Sequence, residues 1–352
     1  MSVKLKPLHQ QVLVITGATS GIGLATARQA AQAGARLVLA ARSAHDLETV
    51  ASELGGHVAT VVADVAKPED VAHIADTARS HFGGFDTWVN NAGVGMWGKI
   101  EQGNLADFKQ LYDTNFWGVV NGSLEAVKHL KQHSGALINV GSVASDVAIP
   151  IQGIYSSSKH AVKGFTNALR VELAQDEAPI SVTLIKPAAI NTPFPAHARN
   201  YLPEQPTLPP PVYAPEDVAK AILHAATHPV RDVYVGGGGK MMSTTEKYAP
   251  GTMDWMSSKM GTNMQVHAGT RARNPEGTLR RPAAPHARVR GDYEGRTQRS
   301  YYTRASLHPV VAGLVAATTL GASLALWMGR DKPTHPAEDG KAPGRVPQPP
   351  TV

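Results

Sequence analysis

Short apolar runs alternate with longer amphipathic segments through the first 235 residues of the chain. The short runs predict buried strands at residues 11–16, 36–41, 58–63, 86–90, 136–142, 180–186 and 232–235. The longer segments have helical spacing and predict helices at residues 22–33, 45–53, 68–81, 105–130, 153–176 and 214–227. Strands that alternate with helices favour parallel βαβ units with right-handed crossovers. The pattern therefore predicts an α/β fold with a doubly wound, parallel, seven-stranded sheet and helices on both faces.

The periodic pattern ends near residue 240. Before that point, the proline-rich stretch Pro187 to Pro211 predicts a long loop, and long loops in compact domains usually have a function. Residues 240–305 show no clear period, although 241–260 look partly helical. We therefore divide the chain into an α/β domain at 1–240, a basic extension at 241–305, a hydrophobic helix at 306–330 and a disordered tail at 331–352.

A second apolar pattern lies at residues 310–328, which carry no charge over 19 positions. At 1.5 Å per residue a helix of this length spans roughly 28 Å, close to the thickness of a bilayer core. The segment predicts a transmembrane helix, and the alternative is an apolar oligomerisation arm in a wholly soluble protein. The first apolar run, of about six residues, is too short for a signal peptide. We therefore expect a cytoplasmic α/β domain held at a membrane by this C-terminal helix.

Composition and charge exclude several kinds of site and partner. Hydrophobic residues make up 42% of the 352 residues, which suits a globular core, and the absence of cysteine excludes disulfides and cysteine metal sites. No metal is expected. The net charge of +6 is concentrated at residues 271–304, where nine arginines face three acidic residues. No aromatic stacking platform accompanies them, so we expect no nucleic acid partner and favour a role beside the membrane. A solvated or disordered arm is the alternative. The expected assembly is a homodimer or homotetramer.

The strongest chemical signal is a tyrosine–lysine pair, Tyr155 and Lys159, with Ser142 thirteen residues before the tyrosine. Residues four apart share one face of a helix. The lysine charge favours the phenolate and is expected to lower the tyrosine pKa from about 10. A nearby serine hydroxyl would hold a carbonyl or alcohol oxygen. Together these groups predict proton transfer to or from an oxygen.

A glycine-rich turn near the N-terminus predicts a dinucleotide site. Residues 17–23 follow the first predicted strand directly and open the first predicted helix. Glycines let the backbone approach a pyrophosphate, and the helix N-terminus offers N–H groups to the anion. The spacing is Gly-x-x-x-Gly-x-Gly, and an ordinary glycine turn is the alternative.

These motifs occur together in one order: Thr16-Gly17-x-x-x-Gly21-Ile22-Gly23, Asn90-Asn91-Ala92-Gly93, Ser142 and Tyr155-x-x-x-Lys159. The chain thereby resembles the short-chain dehydrogenase/reductase family over about residues 8 to 240. The resemblance implies a Rossmann fold with strand order 3-2-1-4-5-6-7. It implies a catalytic set of Asn115, Ser142, Tyr155 and Lys159. In that family Asn115 would distort its helix and hold a water linked to the lysine; a merely packed asparagine is the alternative.

The resemblance also implies a set of cofactor-binding residues. Asp64 is expected at the adenine edge, or instead as a helix N-cap, although Pro68 places that cap better at Lys67. Ala188 replaces the family's usual glycine after Pro187, so either the backbone is ordinary there or the loop is shifted. The expected set is Gly17, Thr19, Ser20, Gly21, Ile22, Gly23, Asp64, Val65, Asn91, Ala92, Gly93, Tyr155, Lys159, Pro187 and Thr192.

The end of the second predicted strand indicates the cofactor. An acid there would accept the ribose hydroxyls of NAD, but this chain has Ala41 followed by Arg42. A guanidinium matches the geometry of a phosphate, so we predict NADP(H) over NAD(H), with Arg42 as a cofactor-binding residue. A surface arginine is the alternative.

The sequence thus predicts an NADP(H)-dependent oxidoreductase that interconverts a carbonyl and an alcohol. A catalytically idle NADP(H)-binding sensor or scaffold is the alternative. Apolar residues in the loops near the site predict a lipophilic small-molecule substrate. They are Met96, Trp97, Ile149, Ile151, Phe194 and Tyr201.

Overall fold

The computed structural model describes residues 3–282 and 287–308, together with the single residues 312 and 344. The chain groups into two compact units, Met1–Leu307 and His308–Val352. The basic extension at 241–305 therefore belongs to the same compact unit as the α/β domain.

The centre of the first unit is one parallel sheet of seven strands. Its strands are β1 (Val12–Thr16), β2 (Arg36–Ala41), β3 (Val58–Val62), β4 (Thr87–Asn90), β5 (Gly135–Val140), β6 (Ile180–Pro187) and β7 (Asp232–Val235). The spatial order is β7-β6-β5-β4-β1-β2-β3, which confirms the order 3-2-1-4-5-6-7. The order reverses between β1 and β4, and ligands bind at the carboxyl ends of strands at such a point.

The six predicted helix positions are helical with small shifts at their ends, except that 105–130 is divided, and short helices at 194–197 and 301–307 were not predicted. The described residues form eleven α-helices in all. They are α1 (Gly21–Gln32), α2 (Ala44–Leu54), α3 (Pro68–Phe82), α4 (Leu105–Tyr112), α5 (Gly118–His133), α6 (Gly153–Gln175), α7 (Phe194–His197), α8 (Pro215–Thr227), α9 (Gly237–Tyr248), α10 (Pro250–Met260) and α11 (Tyr301–Leu307). The N-cap of α3 is Lys67, with Pro68 in the first helical position.

Both faces of the sheet are covered. Leu13 and Ile15 of β1 pack into one buried cluster, and Val12 and Val14 pack into the other. Alternate residues of a strand point to opposite faces, so a fully apolar strand is what a sheet with two covered faces requires. This explains why the sequence shows continuous apolar runs.

The predicted single helix at 105–130 was wrong in one respect. A π-helical turn, Asp113–Trp117, separates α4 from α5. It contains Asn115, whose side chain bonds the backbone of Val94 on a neighbouring loop. Single π turns of this kind occur frequently at functional sites.

Short strands attach the extension to the α/β domain. Val266–Arg271 pairs antiparallel with Glu204–Pro206, and Thr297–Gln298 pairs in parallel with Val212–Tyr213. Two arginines add ion pairs across the same boundary: Arg280 with Asp107, and Arg290 with Glu216. These arginines therefore hold the extension against α4 and α8.

Within the described part of the chain, no helix has the length and apolar character needed to cross a bilayer. Residues 310–328, predicted to be that helix, lie outside the described residues except for Ala312.

Candidate active site

The glycine loop between β1 and α1 is shaped by its glycines. Gly17 and Gly21 have φ values of +64° and +52°, a region that side chains disfavour. A Cβ on Gly17 would lie 2.8 Å from the Cα of Ala92, and a Cβ on Gly23 would collide with the carbonyl of Gly17. The loop therefore presents backbone without side chains at the N-terminus of α1, which lets a pyrophosphate approach closely. One of its N–H groups, that of Gly21, donates to the carbonyl of Arg288 of the extension.

The loop after β4 is locked against the glycine loop. The Thr16 hydroxyl accepts from the backbone N–H groups of Asn91 and Ala92 at 3.0 and 3.1 Å. The Asn91 amide in turn donates to the carbonyls of Thr16 and Gly17. The neighbouring Asn90 is buried and joins β4 to β5 through the Asn139 side chain. These bonds fix the floor of the site.

A cavity of about 590 Å³ lies at the carboxyl ends of the strands. The predicted dinucleotide-binding loop and the predicted tyrosine–lysine pair both line this cavity. The predicted residues on its wall are Gly17, Thr19, Ser20, Gly21, Ile22, Arg42, Asp64, Val65, Asn91, Ala92, Gly93, Ser142, Tyr155, Lys159, Pro187 and Thr192. Gly23 and Asn115 do not line the cavity and act from behind this wall.

Ser142 is positioned by the turn that follows β5. It caps the short 3₁₀ turn Val143–Ser145, and its Oγ accepts a hydrogen bond from the N–H of Ala144 at 3.0 Å. Because that bond uses a lone pair, the hydroxyl proton of Ser142 can be donated elsewhere.

Tyr155 lies near the start of α6 and is 8% exposed. Burial raises the pKa of Tyr155 to about 12, and a hydrogen bond with Ser142 opposes this change. The ring of Phe194 covers it, with 5.4 Å between the ring centroids. The expectation of a lowered tyrosine pKa is wrong for this structure, because removal of the phenolate from water outweighs the favourable contacts.

Lys159 is buried one turn further along α6. Its Nζ donates to the carbonyl of Val140 at 3.0 Å and lies 5.8 Å from the centroid of the Tyr155 ring. Burial lowers the pKa of Lys159 to about 8. The amine thus remains mainly protonated at neutral pH, close to the phenol.

Asn115 supports this pair through the backbone. Its Oδ1 accepts from the N–H of Val94 at 2.8 Å, and its Nδ2 donates to the carbonyl of the same residue at 2.9 Å. A further bond from Nδ2 reaches the Ser158 hydroxyl, which donates to the carbonyl of Tyr155. The asparagine therefore joins the loop after β4 to the helix that carries the catalytic pair.

The segment after β6 continues in an ordinary conformation. Ala188 does not adopt a positive φ, and its N–H donates to the carbonyl of Val235 at 2.9 Å. The first of the two alternatives for this position, an ordinary backbone, is therefore the one observed. Thr192 is buried at the cavity wall, and its hydroxyl lies 3.4 Å from the carbonyl of Ile190.

Comparison with known proteins identifies the family. The sequence model of one family, described as short chain dehydrogenase, matches residues 11–201. The chain is 46% identical over 322 residues to "Uncharacterized oxidoreductase YxnA" of Bacillus subtilis (strain 168), which covers 90% of both proteins.

The chain belongs to the short chain dehydrogenase family. Like other members, it is an oxidoreductase that acts on CH–OH and C=O groups with NAD(P).

Solved structures agree with this assignment. A short chain dehydrogenase/reductase from Burkholderia phymatum in complex with NAD is 28% identical, with a TM-score of 0.63, covering 72% of this chain and 97% of that one. An alcohol dehydrogenase from Thermococcus sibiricus complexed with 5-hydroxy-NADP is 29% identical, with a TM-score of 0.56, covering 64% of this chain and 95% of that one. These two solved structures contain a nicotinamide cofactor, one as NAD and the other as a derivative of NADP.

In this short chain dehydrogenase, Arg42 bonds the C-terminal extension, which the sequence did not predict. Its guanidinium donates to two backbone carbonyls of the extension, Thr278 at 2.6 Å and Leu279 at 3.4 Å. Burial lowers the pKa of Arg42, and the charge of Asp64 opposes the change. Arg42 still lines the cavity beside Ala41 and is not a simple surface arginine.

The predicted apolar lining is only partly correct. Trp97, Ile149 and Phe194 line the cavity. Met96 and Ile151 instead pack in buried clusters beside it, and Tyr201 turns its hydroxyl to Asp107 at 2.6 Å. Whether such a residue lines the cavity or packs in the core depends on its neighbours in the fold. The sequence position alone does not show which neighbours it has.

Sequence reasoning missed a methionine wall supplied by the extension. Its members line the cavity from α9, α10 and the turn that follows, and they are Met241, Met242, Met253, Met256 and Met264. A compositional signal was present, because six of the nine methionines of the chain fall within residues 241–264. Among the described residues, no group of three or more His, Cys, Asp or Glu could hold a metal ion.

Proposed function

We propose that this short chain dehydrogenase interconverts a lipophilic carbonyl compound and its alcohol, with NADP(H) as cofactor and Tyr155 as general acid and base. The observation that carries the proposal is that Ser142, Tyr155 and Lys159 line the same cavity as the glycine loop. A dinucleotide on that loop and a substrate at the tyrosine would share one enclosed space.

The protein's part in the reaction follows from the geometry. When bound, the nicotinamide supplies or accepts the hydride. Ser142 orients the substrate oxygen with its hydroxyl group. Tyr155 gives its Oη proton to that oxygen in the reductive direction and takes it back in the oxidative one. The nearby charge of Lys159 stabilises the phenolate that remains after proton donation.

The pKa of Tyr155 favours carbonyl reduction over alcohol oxidation at neutral pH. With a pKa of about 12, Tyr155 is protonated and ready to donate. Oxidation of an alcohol would require the phenolate, which is scarce at pH 7. We therefore infer that carbonyl reduction is the faster direction at neutral pH and that alcohol oxidation gains as the pH rises.

Two features of the site support the choice of NADP(H) over NAD(H) and of a lipophilic substrate. Arg42 at the end of β2, with Ala41 in place of an acid, supports NADP(H) because a guanidinium pairs with a phosphate. The methionines, with Trp97 and Phe194, support a lipophilic substrate because thioethers and rings offer apolar, adaptable contacts.

A screen of NADPH oxidation across lipophilic and polar carbonyls tests the proposal, using the full chain. We expect turnover with lipophilic carbonyls and a higher kcat/KM for NADPH than for NADH. NADPH binding without oxidation by any carbonyl would contradict the proposal and favour the alternative of an idle sensor or scaffold.

We also propose that the protein associates with a membrane through residues 310–328 and forms a homodimer or homotetramer. The uncharged stretch of 19 residues supports the first statement. Full release of the protein by a carbonate wash would contradict it, and light scattering during size-exclusion chromatography tests the second.

A further inference from the structure

Two separate segments of the basic extension lie against residues that line the cofactor side of the cavity. The first, Asn274–Arg280, we call the clasp. The second contact is made by Arg288 and Gly291. Each bonds a different part of the predicted dinucleotide site.

The clasp is fitted closely to the domain. Gly277 has a φ of +59°, and a Cβ there would collide with the carbonyl of Ala198. The N–H of Thr278 donates to the carbonyl of His197 at 2.7 Å. Leu279 is 1% exposed and packs in the cluster that contains Tyr155. A segment docked in this way is part of the fold, not a solvated arm.

A buried carboxylate anchors the end of the clasp. Arg280 donates to Asp107 at 2.6 Å, and Asp107 is only 4% exposed. The same carboxylate accepts from Arg199 at 2.8 Å and from the Tyr201 hydroxyl at 2.6 Å. Loss of Arg280 alone would leave Asp107 with two partners, so the anchor can be weakened without leaving a bare buried charge.

The clasp connects the two ends of the predicted cofactor site. Two of its carbonyls accept from Arg42, which is expected to meet the adenosine end, and Leu279 belongs to the buried cluster that contains Tyr155 at the catalytic end. The second contact reaches the glycine loop. The N–H of Gly21, in the glycine loop, donates to the carbonyl of Arg288 at 3.0 Å, and Gly291 bonds the side chain of Asn191.

We propose that the clasp is a positioning element for the dinucleotide, which sets how tightly the cofactor is held and how slowly it leaves. Because the clasp bonds Arg42, places Thr278 on the cavity wall and buries Leu279 in the cluster that contains Tyr155, a dinucleotide in this site would be enclosed from the side of the extension, and its release would require the clasp to separate from Arg42. The proposal rests on nicotinamide cofactor binding and does not depend on the catalytic role of Tyr155.

The test is the rate of NADPH release from the full-length protein, followed by stopped-flow fluorescence without any carbonyl substrate. Gly277→Val displaces the clasp through its forced clash, and Arg280→Gln weakens the anchor. We expect release to become at least about tenfold faster in Gly277→Val, equivalent to roughly 1.4 kcal/mol. Arg280→Gln should give a smaller change in the same direction, and the NADPH Kd should rise in both.

Arg273→Gln is the matched control, because Arg273 is an exposed arginine just before the clasp. This variant protein should release NADPH at the wild-type rate. Circular dichroism establishes that each variant is folded. A folded Gly277→Val protein with an unchanged release rate overturns the proposal, and tighter binding overturns it as well by showing that the clasp competes with the cofactor. Neither result concerns proton transfer, so both are distinct from a failure of the proposed catalytic role.

Discussion

Replacing Lys159 by methionine should stabilise the fold while it removes turnover. Lys159 is 5% exposed, and burial lowers its pKa from 10.5 to about 8. At about 1.4 kcal/mol for each pKa unit, keeping this amine charged at pH 7 costs the folded state about 3 kcal/mol. Methionine has a similar length and no charge to desolvate.

One lost hydrogen bond reduces the expected gain. Lys159 donates to the carbonyl of Val140, and that bond disappears in the variant. An unmade bond to a buried carbonyl costs about 1–3 kcal/mol. The desolvation cost is the larger of the two, so Lys159→Met should raise the free energy of unfolding by about 1 kcal/mol at pH 7.

The pH dependence separates this explanation from simple repacking. The folded-state pKa of Lys159 is below its ordinary value of 10.5, so the unfolded chain binds more protons between about pH 8 and 10.5. Wild-type stability therefore gains from rising pH across that window, and the variant lacks this gain. The advantage of Lys159→Met should shrink above pH 8 and be reversed well before pH 10.

Urea denaturation of both proteins without cofactor, at neutral pH and near pH 10, measures the difference. The contribution of Lys159 is the difference in free energy of unfolding between wild type and variant at each pH. Groups that titrate in both proteins cancel in this difference. A variant that is less stable than wild type at neutral pH, by an amount that does not change with pH, would refute the reasoning.

Three further predictions test separate parts of the structure. Arg42→Ala should raise the KM for NADPH about tenfold or more beyond any rise for NADH, because a charged contact to phosphate contributes about 1.5–3 kcal/mol, whereas the loss of the Arg42 bonds to the clasp affects both cofactors; equal rises for both would count against the phosphate role. Met253→Ser should lower kcat/KM for bulky apolar carbonyls about tenfold, as expected for a buried apolar contact of 1–3 kcal/mol, whereas Trp255→Ala, exposed on the same helix, should match wild type. Gly122→Ala should destabilise the fold by about 1–3 kcal/mol through overpacking, while Gly164→Ala, which has open space around it, should stabilise it in thermal melts.

The regular elements could be predicted because their periodicity is local. The strands were found within about two residues, since a sheet with two covered faces demands unbroken apolar runs. Periodicity alone did not show the π turn at Asp113–Trp117, because one extra residue in a turn hardly disturbs the helical pattern; only the family resemblance led us to expect Asn115 to distort its helix. The glycine loop and the tyrosine–lysine pair are likewise short-range spacings, and the structure brings them to one cavity.

The extension could not be predicted because its contacts are distant in sequence. Arg280 and its partner Asp107 are 173 residues apart, and Leu279 is the one leucine of the arginine-rich stretch 271–304. Such a stretch looks like a solvated arm until its partners are known. The direction of the Tyr155 pKa was missed for a related reason, because spacing reports which charge is near but not how completely water is excluded.

The most direct test of the central claim is turnover by Tyr155→Phe, measured together with NADPH binding. The variant keeps the ring that packs against Phe194 and removes the hydroxyl group, and with it the proton that the reaction requires and the hydrogen bond with Ser142. We predict an unchanged Kd for NADPH and a fall in kcat of at least about 10²-fold, as expected for loss of a general acid. A variant that binds NADPH and reduces the same carbonyl at the wild-type rate would contradict the account.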